Sequence, residues 1–124
     1  MTMRLAVGFF AVMMLVAAPP VWADEISLNL KKLKALNSCE GCDLSGSDLK
    51  GADLEGANLY RANLSGADLI EANLFGANLK EANLYKAILT EASLKNAKFK
   101  GAILCKTATP WGIDNSGCKS IIKK

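Results

Sequence analysis

The chain has 124 residues and a mass of 13.2 kDa, room for one small domain and too little for a two-domain enzyme. Its 15 Lys and Arg against 12 Asp and Glu give a net charge of +3, well short of a committed nucleic-acid binder, and strong acidity is absent too. There is no His, which removes the commonest general base and the commonest metal ligand and speaks against most hydrolytic and zinc chemistry.

Residues 1–23 read as a signal peptide. Arg4 supplies the positive start, residues 5–18 carry no charge, and Val21-Trp22-Ala23 offers small or modest side chains where a signal peptidase reads. An uncharged run of 14 residues falls short of the roughly 20 that a helix needs to cross a bilayer, so a removed leader is expected in place of a retained anchor. No Cys follows the cleavage point to take a lipid. Cleavage after Ala23 leaves 101 residues, 24–124, with a net charge of +2 once Arg4 is gone and no integral membrane segment. The expected location is the periplasm or the exterior, or a thylakoid lumen if the source is phototrophic. Such compartments are oxidising, and four cysteines are read there first as disulfides.

Residues 24–41 form an N-terminal cap. Ile26, Leu30, Leu33 and Leu36 recur at helical spacing with Lys31, Lys32 and Lys34 between them, which predicts a short helix over 27–36. A repeat of five then runs through residues 42–106 with no insertion or deletion. Its central position holds Leu44, Leu49, Leu54, Leu59, Leu64, Leu69, Leu74, Leu79, Leu84, Leu89, Leu94, Phe99 and Leu104. Two residues earlier stand Cys42, Ser47 and then Ala in every unit from Ala52 to Ala102. Asp or Asn lies between them in nine successive units, from Asp43 to Asn83, before giving way to Ile88, Ser93, Lys98 and Ile103.

A period of five fits neither the 3.6 of a helix nor an unbroken strand, so something must turn the chain every five residues. If each unit is a short extended segment followed by a corner, the small residue and the central residue point to one side. That side is an interior. Stacked coils then set Leu over Leu and Ala over Ala, with backbone groups paired to coils about 4.8 Å above and below. The lumen core is expected to comprise Leu54, Leu59, Leu64, Leu69, Leu74, Leu79, Leu84, Leu89, Leu94 and Phe99.

Runs such as Ala-Asp-Leu-Glu-Gly at 52–56, Ala-Asn-Leu-Ser-Gly-Ala-Asp-Leu at 62–69 and Ala-Asn-Leu-Phe-Gly at 72–76 resemble the pentapeptide repeat family. The resemblance covers 65 of the 101 residues that follow the leader. It implies an all-β fold, a right-handed quadrilateral β-helix with 20 residues per coil, and hence thirteen units in about three coils. Cys42 and Ser47 in place of Ala, Phe99 in place of Leu, and the loss of Asp or Asn after residue 83 are departures from the family pattern. Open terminal coils would lose hydrogen bonds and invite edge pairing, so both ends call for caps. Residues 107–124, with Pro110, Trp111, Gly112, Ile121 and Ile122, predict an irregular C-terminal cap with Trp111 over the last coil.

Cys39 and Cys42 have the spacing of a redox dithiol, but both keep the inward register of the repeat, and Glu40 and Asp43 make their neighbourhood negative. Cys105 and Cys118 lie three coils away, on the order of 15 Å, which excludes one zinc site shared by all four. Structural disulfides are the favoured reading, with reduced thiols and a redox CxxC as alternatives and the pairing left open. The ladder of Asp and Asn could in principle bind calcium where Asp48 and Asp68 stack, but short polar side chains that bond their own turn are the simpler account. No phosphate loop, nucleophile elbow or acid pair is present, so no enzyme, cofactor or metal site is expected.

The expected function is a non-catalytic exported module that presents flat faces to an unknown protein or an anionic surface, with dimerisation left open. Stacking at i+20 gathers Tyr60, Arg61, Lys80, Lys98 and Lys100 against Glu81 on one basic face. It gathers Asp48, Asp68, Glu71 and Glu91 against Lys50, with Ile70 and Ile88, on an acidic one. Some pentapeptide repeat proteins mimic DNA and bind gyrase, protecting it from quinolones. That alternative is disfavoured by the positive net charge and the leader, and nucleic acid is not an expected partner.

Overall fold

The computed structural model describes residues 21–119, with side chains from Glu25 onward. Most of the expected leader, together with Ile121 and Ile122 of the expected C-terminal cap, lies outside the described residues.

Each five-residue unit folds by one rule. The N–H of a small residue donates to the carbonyl of the central residue three positions earlier, as Ala57 does to Leu54 and Ala62 to Leu59, both at 3.0 Å. The residue just before it takes a positive φ, which turns the chain. Fourteen such corners recur from Gly41 to Lys106, all with φ between 53° and 75°. Between corners the chain is extended and the central N–H reaches the next coil, as Leu54 donates to Asn73 at 2.8 Å. The parallel bridges pair residue i with residue i+20 throughout, from Ser38 with Asn58 to Ile88 with Ala108. Four units therefore make one coil. The chain is a four-sided solenoid of short edges in place of long strands.

The repeat places its own core. Every Leu from Leu44 to Leu89 is buried, as are the alanines from Ala57 to Ala92. Leu94, Phe99, Ala102 and Leu104 of the last coil are only half-buried, packed against the rest of the core on one side. The solenoid also reaches one unit further at each end than the Leu pattern marks. Cys39 fills a central position, with its N–H bonded to Asn58 of the next coil at 2.8 Å. Thr107, Ala108 and Thr109 continue the register at the far end, where Ala108 donates to Ala87 at 3.0 Å. The Thr107 hydroxyl is fully buried and donates to the Leu84 carbonyl at 2.7 Å, so a polar side chain is accepted in the lumen.

The two ends are closed differently. Helix α1 (Val21–Leu36) begins six residues before the expected start and lays Leu33, 1 % exposed, on the first coil. Its Asn29 amide donates to the Asp43 carbonyl at 3.0 Å, tying the helix to the solenoid. At the other end the chain forms a hairpin where an irregular cap was expected. Strand β1 (Thr107–Thr109) pairs antiparallel with β2 (Gly112–Asp114). Trp111 sits in the turn between them and is 63 % exposed, so it does not cover the last coil. Pro110 and Trp111 follow β1 directly, and Gly112 with φ of 124° reverses the chain before the ring can reach the coil.

Candidate interaction surface

The inward half of every unit is consumed by packing, so chemistry is confined to the three outward positions. The first is the residue between the small and the central one. Its side chain is engaged wherever it is Asp or Asn: from Asp43 to Asn83, all nine accept the N–H two residues on at 3.0 to 3.3 Å. This local bond is the one short polar side chains make in turns. Asn amides also reach down a coil, Asn73 to Asp53 at 3.1 Å and Asn63 to Asp43 at 3.4 Å. The ladder thus staples corners and links coils. Asp48 and Asp68 do stack as a bridged pair, each holding its own turn, and no cluster able to hold a metal occurs among the described residues.

Arg61 and Glu81 stack at one corner with Arg61 Nε 2.6 Å from Glu81 Oε2. The Arg61 hydrogen bond, more than its charge, holds the Glu81 carboxyl below its ordinary value. The guanidinium also lies 5.0 Å from the centroid of the Tyr60 ring. Arg61 is therefore neutralised within its own face, and Tyr60 is half-buried beside it. Lys80, Lys98 and Lys100 stand exposed above them. Glu40, from the unit that the Leu pattern does not mark, joins the same column one coil below Tyr60, where Gly41 donates to the Tyr60 carbonyl at 2.8 Å. The face is acidic at its first coil and basic at its last.

That gradient holds for the whole solenoid. Residues 38–75 contain seven acids, Glu40, Asp43, Asp48, Asp53, Glu55, Asp68 and Glu71, against Lys50 and Arg61, a net −5. Residues 76–119 contain seven lysines, at 80, 86, 95, 98, 100, 106 and 119, against Glu81, Glu91 and Asp114, a net +4. Charge divides along the axis more cleanly than it divides by face. Since the middle coils keep Arg61 beside Glu81, the excess charge lies toward the ends, where it acts on an approaching partner.

Both cysteine pairs are joined, Cys39 to Cys42 and Cys105 to Cys118. Cys39 and Cys42 are buried beneath α1, and the Cys39 sulfur lies 3.5 Å from the Asn29 carbonyl. Thiol exchange needs an accessible sulfur, which this placement withholds. Cys118 holds the segment after the hairpin against the last coil, where the Gly117 N–H donates to Leu104 at 2.8 Å. No helix among the described residues is long and apolar enough to cross a membrane.

No curated protein matches this sequence. Among solved structures the chain is similar to HetL from the cyanobacterium Nostoc, a pentapeptide repeat protein involved in heterocyst differentiation regulation: 40 % identity over 60 % of this chain and 39 % of that one, TM-score 0.39. A pentapeptide repeat protein of the Arabidopsis thaliana thylakoid lumen is 34 % identical over 56 % of each chain, TM-score 0.34. Another from Nostoc is 30 % identical over 65 % of this chain and 76 % of its own, TM-score 0.36. The chain thus spans well under half of the first of these and a little over half of the second. The family model for pentapeptide repeats matches residues 38–74 and 67–105, more than half of the sequence and the same stretch that coils at i+20. The chain belongs to the pentapeptide repeat family.

Proposed function

We propose that this protein is a non-catalytic, exported interaction module, a rigid solenoid whose acidic first coil and basic last coil present their sides to protein partners. The observation that carries the reading is the axial division of charge on a scaffold whose lumen is filled by its own Leu and Ala. Such a scaffold offers outward surfaces, and fixed charges steer and select partners at little conformational cost. Support for export comes from the leader-like residues 1–23 and from four cysteines joined in two disulfides, bonds that persist in oxidising compartments.

Mass analysis of the protein recovered from its native compartment, without reductant, tests the reading. A chain beginning at Asp24 with both disulfides intact is the expected result. A cytoplasmic chain that retains residues 1–23 and carries free thiols would overturn export. Cross-linking in that compartment then tests the module itself: the parent is expected to yield discrete protein adducts, and a parent that yields none contradicts it.

A further inference from the structure

The last coil has an edge that the coils below it do not. In the coil beneath, Leu74, Gly76, Leu79 and Glu81 donate their N–H groups to Ser93, Lys95, Lys98 and Lys100 at 2.8 to 2.9 Å. The equivalent donors one coil up are Leu94, Asn96, Phe99 and Gly101, and among the described residues no backbone carbonyl takes their bonds. The carbonyls of Ala92 and Ala97 likewise lack the N–H partners that Ala72 and Ala77 have in Ser93 and Lys98. Among the described residues, those after the hairpin bond the neighbouring edge at Leu104 and leave these two units uncovered. Leu94 and Phe99 lie half-exposed along the same rim. Unpaired backbone groups with apolar side chains at alternate positions are what an added strand requires.

Charge selects the occupant. Residues 92–101 carry Lys95, Lys98 and Lys100, all exposed, and no acid. The acid beneath them on this face, Glu81, is already paired with Arg61. A second copy meeting this one end to end would set the lysines against their own counterparts. A head-to-tail copy would find the first coil closed by α1, with Lys31, Lys32 and Lys34 exposed on the helix. Building on the reading of this chain as an interaction module, we propose that the edge formed by the units centred on Leu94 and Phe99 binds an extended acidic protein segment as the next rung of the solenoid.

The probe is a ten-residue peptide copying residues 51–60, which carries Asp53 and Glu55 and whose central residues Leu54 and Leu59 stack on the sides that Leu94 and Phe99 continue. A second peptide replaces both acids with Lys. With the full oxidised chain, the acidic peptide is expected to slow amide exchange at Leu94, Asn96, Phe99 and Gly101 by about tenfold or more. The lysine peptide is expected to bind about tenfold or more weakly. In the K95E/K98E/K100E triple variant the order of the two peptides should reverse, which shows the edge to be intact and its charge to decide. Equal binding of both peptides or binding of neither would overturn the proposal. So would amides at Leu94 and Phe99 already as protected in the free chain as those at Leu74 and Leu79, a concentration-dependent dimer that protects them, or attachment to phosphatidylglycerol vesicles in place of the peptide. Should the peptides fail while the parent and the triple variant form the same adducts in the native compartment, the module reading stands and this edge is not its site.

Discussion

The first and last coils share one lumen and differ in nearly everything outside it. The first-coil corners Gly41, Gly46, Gly51 and Gly56 reach φ of 64° to 67° without a side chain, whereas in the last coil Glu91, Asn96 and Lys106 hold 53° to 62° with one and only Gly101 is bare. The first nine outward Asx positions staple their corners; Ile88, Lys98 and Ile103 offer no oxygen to do so. The first coil lies under a helix, and the last keeps Leu94 and Phe99 half-exposed. The difference teaches which features make the fold and which tune it. Central Leu and small Ala are sufficient to define a coil, while Gly corners and Asx staples set how firmly it is held. The left-handed corner costs a residue with a Cβ roughly 1 to 2 kcal/mol, so the later coils carry strain that the earlier ones avoid.

Leu74→Ala should produce the largest effect. Leu74 is fully buried in a middle coil, and truncation is expected to cost about 2 to 5 kcal/mol, against under about 2 for the half-buried Leu94→Ala. Urea midpoints at constant slope measure both, with the exposed Glu71→Ala as a reference below about 0.5 kcal/mol. Equal midpoints for the two Leu variants would break the comparison.

Reduction follows. The Cys105 to Cys118 bridge spans 13 positions and should contribute about 3 kcal/mol by restricting the unfolded chain, against about 2 for the three-position Cys39 to Cys42 bridge. Replacing Cys105 and Cys118 together by Ser should speed amide exchange at Gly117 and in the hairpin and leave Leu44 and Leu49 unchanged. Unaltered protection at residues 107–118 contradicts this.

The staples sharpen the comparison further. Asn63→Ala removes a corner acceptor and a link to Asp43 and should cost about 0.5 to 1.5 kcal/mol. Ile88→Asn, at the same place one unit after the ladder ends, should stabilise if the corner bond it adds outweighs the burial lost by a side chain that is already 38 % exposed. Thermal midpoints that fall for both variants would show that the missing staple is not what loosens the later coils.

The smallest effect concerns Glu81. Its carboxyl is held below its ordinary value by the Arg61 hydrogen bond, so the pair contributes stability above the unfolded carboxylate range near pH 4.3. That contribution is lost as pH falls through the lowered folded value. Because both groups are exposed, Glu81→Gln should leave the midpoint at pH 7 nearly unchanged and slightly flatten its decline below pH 4. A large loss at pH 7 would make the pair structural.

The period of five made the lumen legible, because side-chain size alone decides what fits there. Its limits were less legible. Cys39 and Thr109 occupy central positions without being Leu, and their register, counted in fives from Leu44 and Leu104, was the available signal. Stacking at i+20 brought Arg61 beside Glu81 as the spacing implied, but residue spacing does not reveal that the guanidinium bonds the carboxylate and cancels the acid. Trp111 misled: a large ring after a repeat suggests a lid, and only the reversal at Gly112 decides that it faces outward. The axial charge division was countable in the sequence even without Glu40, since Asp43, Asp48, Asp53, Glu55, Asp68 and Glu71 stand against Lys50 and Arg61, and grouping charges by face is what hid it.

Native-state hydrogen exchange read along one ladder tests the central contrast most directly. Asn78 and Lys98 stack on one side of the solenoid and each donate to the coil below at 2.9 Å, to Ala57 and Ala77, so side and bond length are matched and the coil differs. Opening at Lys98 is expected to be easier than at Asn78 by about 1 kcal/mol or more, with Asp68 and Asn73 grouping with Asn78 and with Ser93 and Ile103 grouping with Lys98. Uniform opening free energies from Asn63 to Ile103, or firmer protection in the last coil, would contradict the account.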